Sequence, residues 1–225
     1  MKTVSVAIDG PAGAGKSTIA RRLASQLGFR YVDTGAIYRT VAYFMDLWGV
    51  SPKDADGVNR YIDELTVGIE YDEDGLQHMI MNGMDVTGDI RTQDISQKAS
   101  LISAHACVRE MLLDMQRNLA KQYNVIMDGR DIGTVVLPQA TVKIFLTASA
   151  EVRAKRRCEE LLAKGQKAKY ETVLKEIQQR DYQDTHREIA PLKMARDSIK
   201  VDTSEMNVDE VVAAILKIVQ EKAGL

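Results

Sequence analysis

Short β-rich runs alternate along the chain with longer stretches in which apolar residues recur every three or four positions. The runs cover residues 3–8, 29–33, 124–127, 141–146 and 198–203. The third and fourth runs are apolar without alternation, which is typical of parallel strands that are covered on both faces. Strands that alternate with helices in this way predict an α/β fold, a five-stranded parallel sheet flanked by helices.

The helical stretches are marked by their apolar spacing and by their ends. Apolar residues at every fourth position, from Ile19 to Leu27, predict a helix over residues 16–27. Asn207, with Glu210 three positions later, resembles a capping box that opens the last helix. A short helix is predicted to begin at Pro52. The other predicted helices cover residues 34–48, 91–120, 149–164, 170–187 and 207–223.

Residues 65–90 have a different pattern, because short β runs alternate there with turn residues. The dipeptide Asn82-Gly83 is a strong signal for a two-residue hairpin turn. We therefore expect a small antiparallel sheet inserted into a single α/β domain. The expected limits are 1–35 and 104–225 for the core and about 36–103 for the insert.

Length and charge limit what the protein can bind. Its 225 residues fit one α/β domain. The net charge is −2 and the isoelectric point is near 6.0, so no overall positive field favours a nucleic acid or a membrane. Neither cysteine, Cys107 or Cys158, belongs to a zinc or disulfide pattern. The opening residues predict no signal peptide and no apolar run reaches ~18 residues, so we expect a cytoplasmic protein. For the oligomeric state, a monomer is the default expectation.

The first chemical signal is the stretch IDGPAGAGKST, residues 8–18. It has the pattern of a phosphate-binding P-loop, and it lies between a predicted strand and a predicted helix. Backbone N–H groups at such a helix start can surround a phosphate, Lys16 can neutralise the β- and γ-phosphates, and Ser17 can bind Mg²⁺. The stretch therefore predicts an ATP site with Mg²⁺. The expected ATP-binding residues are Gly10, Pro11, Ala12, Gly13, Ala14, Gly15, Lys16, Ser17 and Thr18.

The residues after the strand at 124–127 bear on the phosphate acceptor. A GTPase would need an Asn/Thr-Lys-x-Asp motif, and residues 201–204, the nearest stretch, lack the lysine. Asp128 can hold Mg²⁺ through water, but Arg130 and Asp131 follow where a hydrolase would place its base. The sequence therefore favours an acceptor other than water.

Arginines form a second group of signals. They lie at one strand end and on three predicted helices: Arg130; Arg39; Arg153, Arg156 and Arg157; and Arg180 and Arg187 with Asp184. Each group alone also fits a solvated surface, where an Arg–Asp pair contributes only ~0.3–0.5 kcal/mol. Together they favour an anion-rich pocket, because guanidinium groups bind phosphate oxygens bidentately.

Several blocks resemble the bacterial cytidylate kinase family, and the resemblance runs almost end to end. The blocks are VDTGAIYR (32–39), IRTQ (90–93), DGRDIGTVVLP (128–138), KIFLTAS (143–149), RAKRR (153–157), and RDYQDTHR with APL (180–192). Leu137 and Gln139 stand where that family often has Phe and Asp, outside the expected contacts. The resemblance implies transfer of the γ-phosphate of ATP to CMP or dCMP, with the insert as part of the monophosphate-binding subdomain.

The resemblance also implies roles for individual residues. Cytosine presents a donor at N4 and acceptors at N3 and O2, which the resemblance assigns to Asp131, Arg109 and Ser100. By position alone, the last two would be surface residues of a helix. The sugar hydroxyls are assigned to Arg180 and Asp184. The residues assigned to the acceptor phosphate and the walls of its pocket are Arg39, Arg130, Arg187, Thr34, Gly35 and Tyr38.

The expected chemistry needs no general base. A phosphate monoester has a second pKa near ~6 and is mostly a dianion at neutral pH, so alignment and charge neutralisation suffice. No histidine is then expected in the site. The resemblance implies a lid over about 153–169 that supplies cations and excludes water, and it places the base of ATP near Arg157 and residues 202–204. The expected catalytic residues are Lys16, Asp128, Arg130, Arg153 and Arg157.

Two alternatives stay open. One is another small-molecule kinase of the same fold, acting on UMP, AMP or shikimate. Asp131 with Arg109 argues for cytosine, because adenine does not require a comparable pair of a carboxylate and an arginine. The other is a P-loop regulator that binds nucleotide without turnover, against which the dense arginine set argues. A nucleic-acid partner is not favoured, because the charge is near neutral.

Overall fold

The computed structural model describes residues 3–163 and 165–225, and in them five strands form a parallel sheet of order β2-β6-β1-β7-β8. The strands are β1 Ser5–Asp9, β2 Arg30–Asp33, β3 Val67–Tyr71, β4 Gln77–Met81, β5 Met84–Asp85, β6 Val125–Gly129, β7 Val142–Thr147 and β8 Ile199–Asp202. The α-helices are α1 Lys16–Leu27, α2 Thr34–Leu47, α3 Ala55–Tyr61, α4 Gln93–Ile102, α5 Ala106–Gln122, α6 Ala150–Ala163, α7 Tyr170–His186 and α8 Val208–Ala223. The predicted fold class is confirmed.

Helices cover both faces of the parallel sheet, which explains the runs without alternation. Successive residues of β1 point to opposite faces, so Ala7 packs against α2 and α5, whereas Val6 and Ile8 pack against α1 and α8. Burial of an aliphatic side chain of this kind contributes roughly 1.5–3 kcal/mol. Since all five strands run in the same direction, their carboxyl ends meet at one edge, where the P-loop and the residues after β6 lie.

The antiparallel insert forms as the turn signals predict. Strands β3, β4 and β5 make a three-stranded sheet, and Asn82 and Gly83 both take positive φ angles, +48° and +83°, in the turn before β5. The side chain of Gln77 connects the insert to the core by two hydrogen bonds to the backbone of Asp33. Its oxygen accepts from the N–H of Asp33 at 2.7 Å, and its amide nitrogen donates to the C=O of Asp33 at 3.3 Å. The strand β4 is thus held at the end of β2.

Two helix predictions were wrong in detail. The short third helix begins at Ala55, because Asp54 caps it by accepting from the N–H of Gly57 at 3.0 Å, and Pro52 lies outside it. The stretch 91–120 is two helices, α4 and α5, separated at Ser103–His105. The capping box at the start of α8 is confirmed.

Candidate active site

A cleft of about 1190 Å³ opens at the carboxyl edge of the parallel sheet. The P-loop forms one side of it, and the arginines of α2, α6 and α7 form much of the other. Asp128 and the three residues that follow lie between them, at the end of strand β6, which is the neighbour of the central strand β1. The cleft therefore brings together both groups of signals found in the sequence.

The P-loop is held in a conformation that depends on glycine. Gly10 has a φ of +153°, and a Cβ there would lie 1.9 Å from the backbone oxygen of Leu146 on β7. The loop ends at Gly15, and α1 starts at Lys16, so the N-terminus of α1 lines the cleft, as expected of an anion site. Lys16 is only 5% exposed, and its Nζ donates to the backbone oxygen of Pro11 at 2.8 Å. Burial, with the nearby Arg130 guanidinium, lowers the pKa of Lys16.

Asp128 and Ser17 meet where the sequence predicts a magnesium site. The Ser17 hydroxyl donates to Asp128 Oδ2 at 3.0 Å, and the Tyr31 hydroxyl donates to Oδ1 at 2.8 Å. Burial and the neighbouring Asp33 raise the pKa of the Asp128 carboxyl to about 6. Hydroxyl and carboxylate oxygens fit Mg²⁺, which commonly takes few protein ligands and completes its shell with water and phosphate oxygens. Within residues 3–163 and 165–225, no group of three or more ligating side chains forms a metal site.

The residues expected around the acceptor phosphate lie next to this pair. Asp33 caps α2 and accepts from Arg39 at 3.1 Å, while Thr34 donates its hydroxyl to the backbone oxygen of Asp128 at 2.7 Å. Gly35 lies close to the Arg39 guanidinium, because a Cβ added at Gly35 would be 3.1 Å from Nη1 of Arg39. Arg130 donates from Nε to Asp184 at 2.8 Å.

Two of these arginines carry unsatisfied donors inside the cleft wall. The buried Nε atoms of Arg39 and Arg180 have no hydrogen-bond partner among the described residues. Burial and the repulsion of Arg130 lower the pKa of Arg180 to about 10. Buried cations that repel one another and keep free donors are suited to an anion with several oxygens, such as a phosphate.

A second cluster surrounds Asp131, which is 4% exposed. Arg109 donates to Asp131 Oδ2, and Arg187 donates to Oδ1 at 3.3 Å. The Tyr38 ring lies under the Arg109 guanidinium, 5.6 Å from ring centre to Cζ. Burial raises the pKa of Asp131, although both arginines oppose that shift. The cluster offers a carboxylate acceptor between two fixed donors, which is the pattern expected to read a base edge.

Two of the expected substrate residues have hydrogen-bond partners that their expected roles did not predict. Arg187 belongs to the cluster around Asp131, not to the group around Arg39, because its hydrogen bonds go to Asp131, Ser103 and the backbone oxygen of Ala190. Ser100 lies on the cleft wall with its hydroxyl 3.5 Å from Asp184 Oδ1. Ser100 therefore lies beside a residue that the resemblance assigns to the sugar.

The arginines of α6 have three different environments. Arg153 is buried and forms a double hydrogen bond with Asp181 of α7, at 3.0 and 2.6 Å, and another with the P-loop oxygen of Ala12. It therefore links the P-loop to α7, and its expected role as a cation of the lid stays a prediction. Arg157 pairs with Glu160 at 2.8 Å and lines the cleft. Of the expected lid, Lys164 lies outside the described residues.

Arg157 and the loop at 202–204 are both expected near the base of ATP, and the arginine that bonds to this loop is Arg156. Arg156 donates to the hydroxyl of Thr203 at 3.1 Å and to its backbone oxygen at 2.6 Å. Helical spacing alone placed all three arginines on one face, and it could not tell which of them reaches that loop. Arg156 thus lines the cleft, although it was not among the residues expected to bind ATP.

Asp9 is a buried residue that sequence reasoning missed. Its carboxylate accepts from the N–H groups of Ile132 and Gly133, at 2.8 and 2.7 Å, at the start of a π-helical turn over Ile132–Val136. It thereby links the strand before the P-loop to the residue after Asp131. Burial raises the pKa of Asp9 to about 6. The available signal was an acidic residue at the end of an apolar strand, where a carboxylate needs partners.

The histidines lie away from this chemistry. His78 on β4 pairs with Asp72 and Asp85, and all three residues belong to the insert. His105 bonds to the backbone oxygen of Pro52 at 2.8 Å, and His186 to that of Tyr182 at 3.0 Å. None of the three lines the cleft, among the residues that the structure describes.

Among the described residues, no helix combines the length and apolar character needed to cross a bilayer.

A solved structure of an uncharacterized protein from Eubacterium ventriosum has a similar fold. Its TM-score is 0.52 at 14% identity, with 97% of this chain and 99% of that chain covered.

Comparison with known sequences identifies the family. The chain is similar to the cytidylate kinase of Carboxydothermus hydrogenoformans, with 49% identity over 217 residues that cover 96% of this chain and 97% of that protein. It is also similar to the cytidylate kinase of Shouchella clausii, with 46% identity over 98% of this chain and 97% of that protein. The sequence model of the family described as cytidylate kinase matches residues 6–221. The chain therefore belongs to the cytidylate kinase family.

Proposed function

We propose that this protein transfers the γ-phosphate of ATP to CMP or dCMP, giving ADP and CDP or dCDP, with Mg²⁺ as the metal. The observation that carries the proposal is the pairing, in one cleft, of a P-loop with a buried carboxylate held between two arginines. The P-loop fits a triphosphate, and the Asp131 cluster fits a base with an exocyclic amino group. Membership of the cytidylate kinase family supports the same reaction.

Base choice follows from the hydrogen-bonding character of the Asp131 cluster. A carboxylate can only accept, so it favours the N4 amino group of cytosine and repels the O4 oxygen of uracil. Arg109 and Ser100 are the proposed donors for the acceptor atoms of the base. Arg187 keeps Asp131 in place from the other side.

Phosphate binding is proposed to use guanidinium groups that are already oriented. Asp33 and Asp184 hold Arg39 and Arg130 toward the cleft, and the free Nε atoms of Arg39 and Arg180 provide further donors. Thr34, Gly35 and Tyr38 are the proposed walls of this pocket. Preorganised donors of this kind stabilise transferred charge without reorganisation during the reaction.

The donor side is proposed to use the P-loop, residues 10–18, with Arg157 at the mouth of the cleft. Lys16 is buried beside the loop, and the charge of a triphosphate would favour its protonated form. Ser17, and Asp128 through water, would hold Mg²⁺, and the bound metal would supply positive charge near the phosphates. Arg153 acts by bracing the loop.

Transfer itself requires alignment rather than proton abstraction. The acceptor phosphate is already largely ionised near neutral pH, so its oxygen can attack the γ-phosphorus directly. Lys16 and the nearby Arg130 would both stabilise charge on the transferred group. A cleft that closes on both substrates would keep water from the γ-phosphate and so prevent loss of ATP.

A coupled assay of ADP release tests the proposal, with ATP, Mg²⁺ and, in parallel, CMP, dCMP, UMP, AMP and shikimate. We expect turnover with CMP and dCMP that far exceeds turnover with the other three. Fast transfer to another acceptor would contradict the assignment of the base. ATP binding without turnover on any acceptor would instead indicate a regulator.

A further inference from the structure

We propose that Ser103 is a positioning residue for base recognition, because it fixes the two arginines that hold Asp131. This inference rests on the proposed function, since it concerns how the same cleft selects cytosine. Ser103 does not contact Asp131 directly. It acts through Arg109 and Arg187, each of which bonds to both Ser103 and Asp131.

Three hydrogen bonds give Ser103 this position. Its backbone oxygen accepts from Arg109 Nη1 at 3.0 Å. Its hydroxyl accepts from Arg187 Nη1 at 3.0 Å and donates to the backbone oxygen of Ser100 at 2.8 Å. Ser103 is only 7% exposed, so water is a poor substitute for these partners.

The place of Ser103 in the chain explains why it can join distant segments. It ends α4, where its N–H donates to the backbone oxygen of Ala99 at 3.0 Å, and it precedes the start of α5 by three residues. Arg109 comes from α5 and Arg187 from the residue after α7. The break between α4 and α5 therefore places one polar residue between the two guanidinium groups.

The Ser103 hydroxyl matters most for Arg187. The bond from Arg187 to Asp131 is long, at 3.3 Å, so the direction of the guanidinium depends on its other partners, Ser103 and the backbone oxygen of Ala190 at 2.7 Å. Removal of the hydroxyl would leave a buried N–H of a charged group without its partner. Arg187 would then swing more freely, and Asp131 would lose one of its two restraints.

The test compares Ser103→Ala with Ser103→Thr, which keeps the hydroxyl. For Ser103→Ala we expect KM for CMP to rise about tenfold and the CMP-to-UMP preference to fall, because a hydrogen bond to a charged group is lost. We expect kcat to change less than KM for CMP, and KM for ATP to stay constant. Ser103→Thr should recover most of the affinity and the preference.

A matched control is Thr185→Ala on α7. The Thr185 hydroxyl also donates to a helix carbonyl, that of Asp181 at 2.7 Å, but Thr185 is exposed and outside the cleft lining. This variant should keep both Michaelis constants. If Ser103→Ala folds poorly, Ser103→Cys offers a side chain of similar shape with a weaker acceptor, and calorimetric CMP binding replaces the rate measurement.

The outcomes separate this inference from the proposed function. If the wild type neither binds nor phosphorylates CMP, both are wrong. If the wild type prefers CMP and Ser103→Ala keeps its KM and its preference, only the role of Ser103 is wrong. Equal losses for CMP and ATP, or no recovery in Ser103→Thr, would indicate a general structural role and would also overturn the inference.

Discussion

The two ends of the cleft are built in opposite ways. The donor end, where we propose that ATP binds, is one continuous segment, residues 10–18, whose main chain and glycines form a cradle. The acceptor end, where we propose that CMP binds, is assembled from side chains on separate elements: Arg39 on α2, Arg109 on α5, Asp131 after β6 and Asp184 on α7. A main-chain cradle recognises phosphate charge and little else. Base recognition requires side chains of different chemistry, and only the folded chain brings these together.

Three arginines of the cleft are also paired with carboxylates before any substrate arrives. Arg39, Arg130 and Arg109 each pair with a carboxylate of the cleft, at Asp33, Asp184 and Asp131 respectively. Buried ion pairs add little net stability because both charges lose their hydration. Their benefit here is orientation, since each carboxylate holds a guanidinium in one direction while other donors stay open to a ligand.

The largest expected effect is on the donor end. Lys16→Ala removes the buried cation of the P-loop, so we expect kcat to fall by about 1000-fold, in the upper range for loss of one preorganised donor. CMP affinity should be retained, because the acceptor end shares no hydrogen bond with Lys16. Single-turnover transfer and CMP calorimetry measure the two quantities. A residual rate close to wild type would contradict the P-loop role.

Base recognition should be broken next by Asp131→Asn, which keeps the shape of the side chain. We expect kcat/KM for CMP to fall about 100-fold, because a charged acceptor between two arginines is lost. The amide can donate to O4 of uracil, so the loss for UMP should be much smaller. Parallel kinetics with both nucleotides and with varied ATP check this. Equal losses for CMP and ATP would make Asp131 a structural residue.

The same contrast explains how much the sequence could predict. The P-loop depends on neighbours in the chain, so Gly10, Lys16 and Ser17 could be identified from local pattern and their place between strand and helix. Each strand of the parallel sheet and the hairpin at Asn82-Gly83 followed from apolar runs and turn residues for the same reason. Long-range pairing has no such local signal.

The acceptor end shows what local patterns leave open. By spacing alone Arg109 was an ordinary surface charge of a helix, yet it is 9% exposed and bound to Asp131, because the helix breaks at Ser103 and turns that face inward. Spacing grouped Arg153 with its neighbours, but Asp181, on another helix, decides that it braces the P-loop. The link that Asp9 makes to the segment after Asp131 could be recognised only once its two backbone partners were visible.

A smaller and more selective effect is expected at Asp184. Burial disfavours its charge, but Arg130 and Arg180 hold its pKa below the usual value, so it is ionised and available as an acceptor. Asp184→Ala should weaken both CMP and dCMP through the released Arg130. If the carboxylate also accepts from the ribose 2′-hydroxyl, CMP should lose about tenfold more than dCMP. The ratio of kcat/KM for the two nucleotides measures this, and equal losses would place the sugar elsewhere.

The smallest effect on transfer, about threefold, is expected from Asp9→Asn, because the amide oxygen keeps one of the two backbone hydrogen bonds. Its effect on stability should depend on pH. Burial raises the pKa of Asp9 from 3.8 to about 6, so between these values the native chain binds more protons than the unfolded chain. The contribution of this carboxyl to stability therefore falls as pH rises through that window.

Urea unfolding of both proteins between pH 4 and pH 7 tests this sign directly. Asn does not titrate, so the free energy of unfolding of the wild type should fall relative to that of Asp9→Asn, by up to about 3 kcal/mol over the window. A difference that stays constant with pH would mean that the pKa of Asp9 is the same in the folded and the unfolded chain. In that case its two backbone hydrogen bonds would offset its burial, and the link from the P-loop strand to the segment after Asp131 would rest on a charged carboxylate over most of this range.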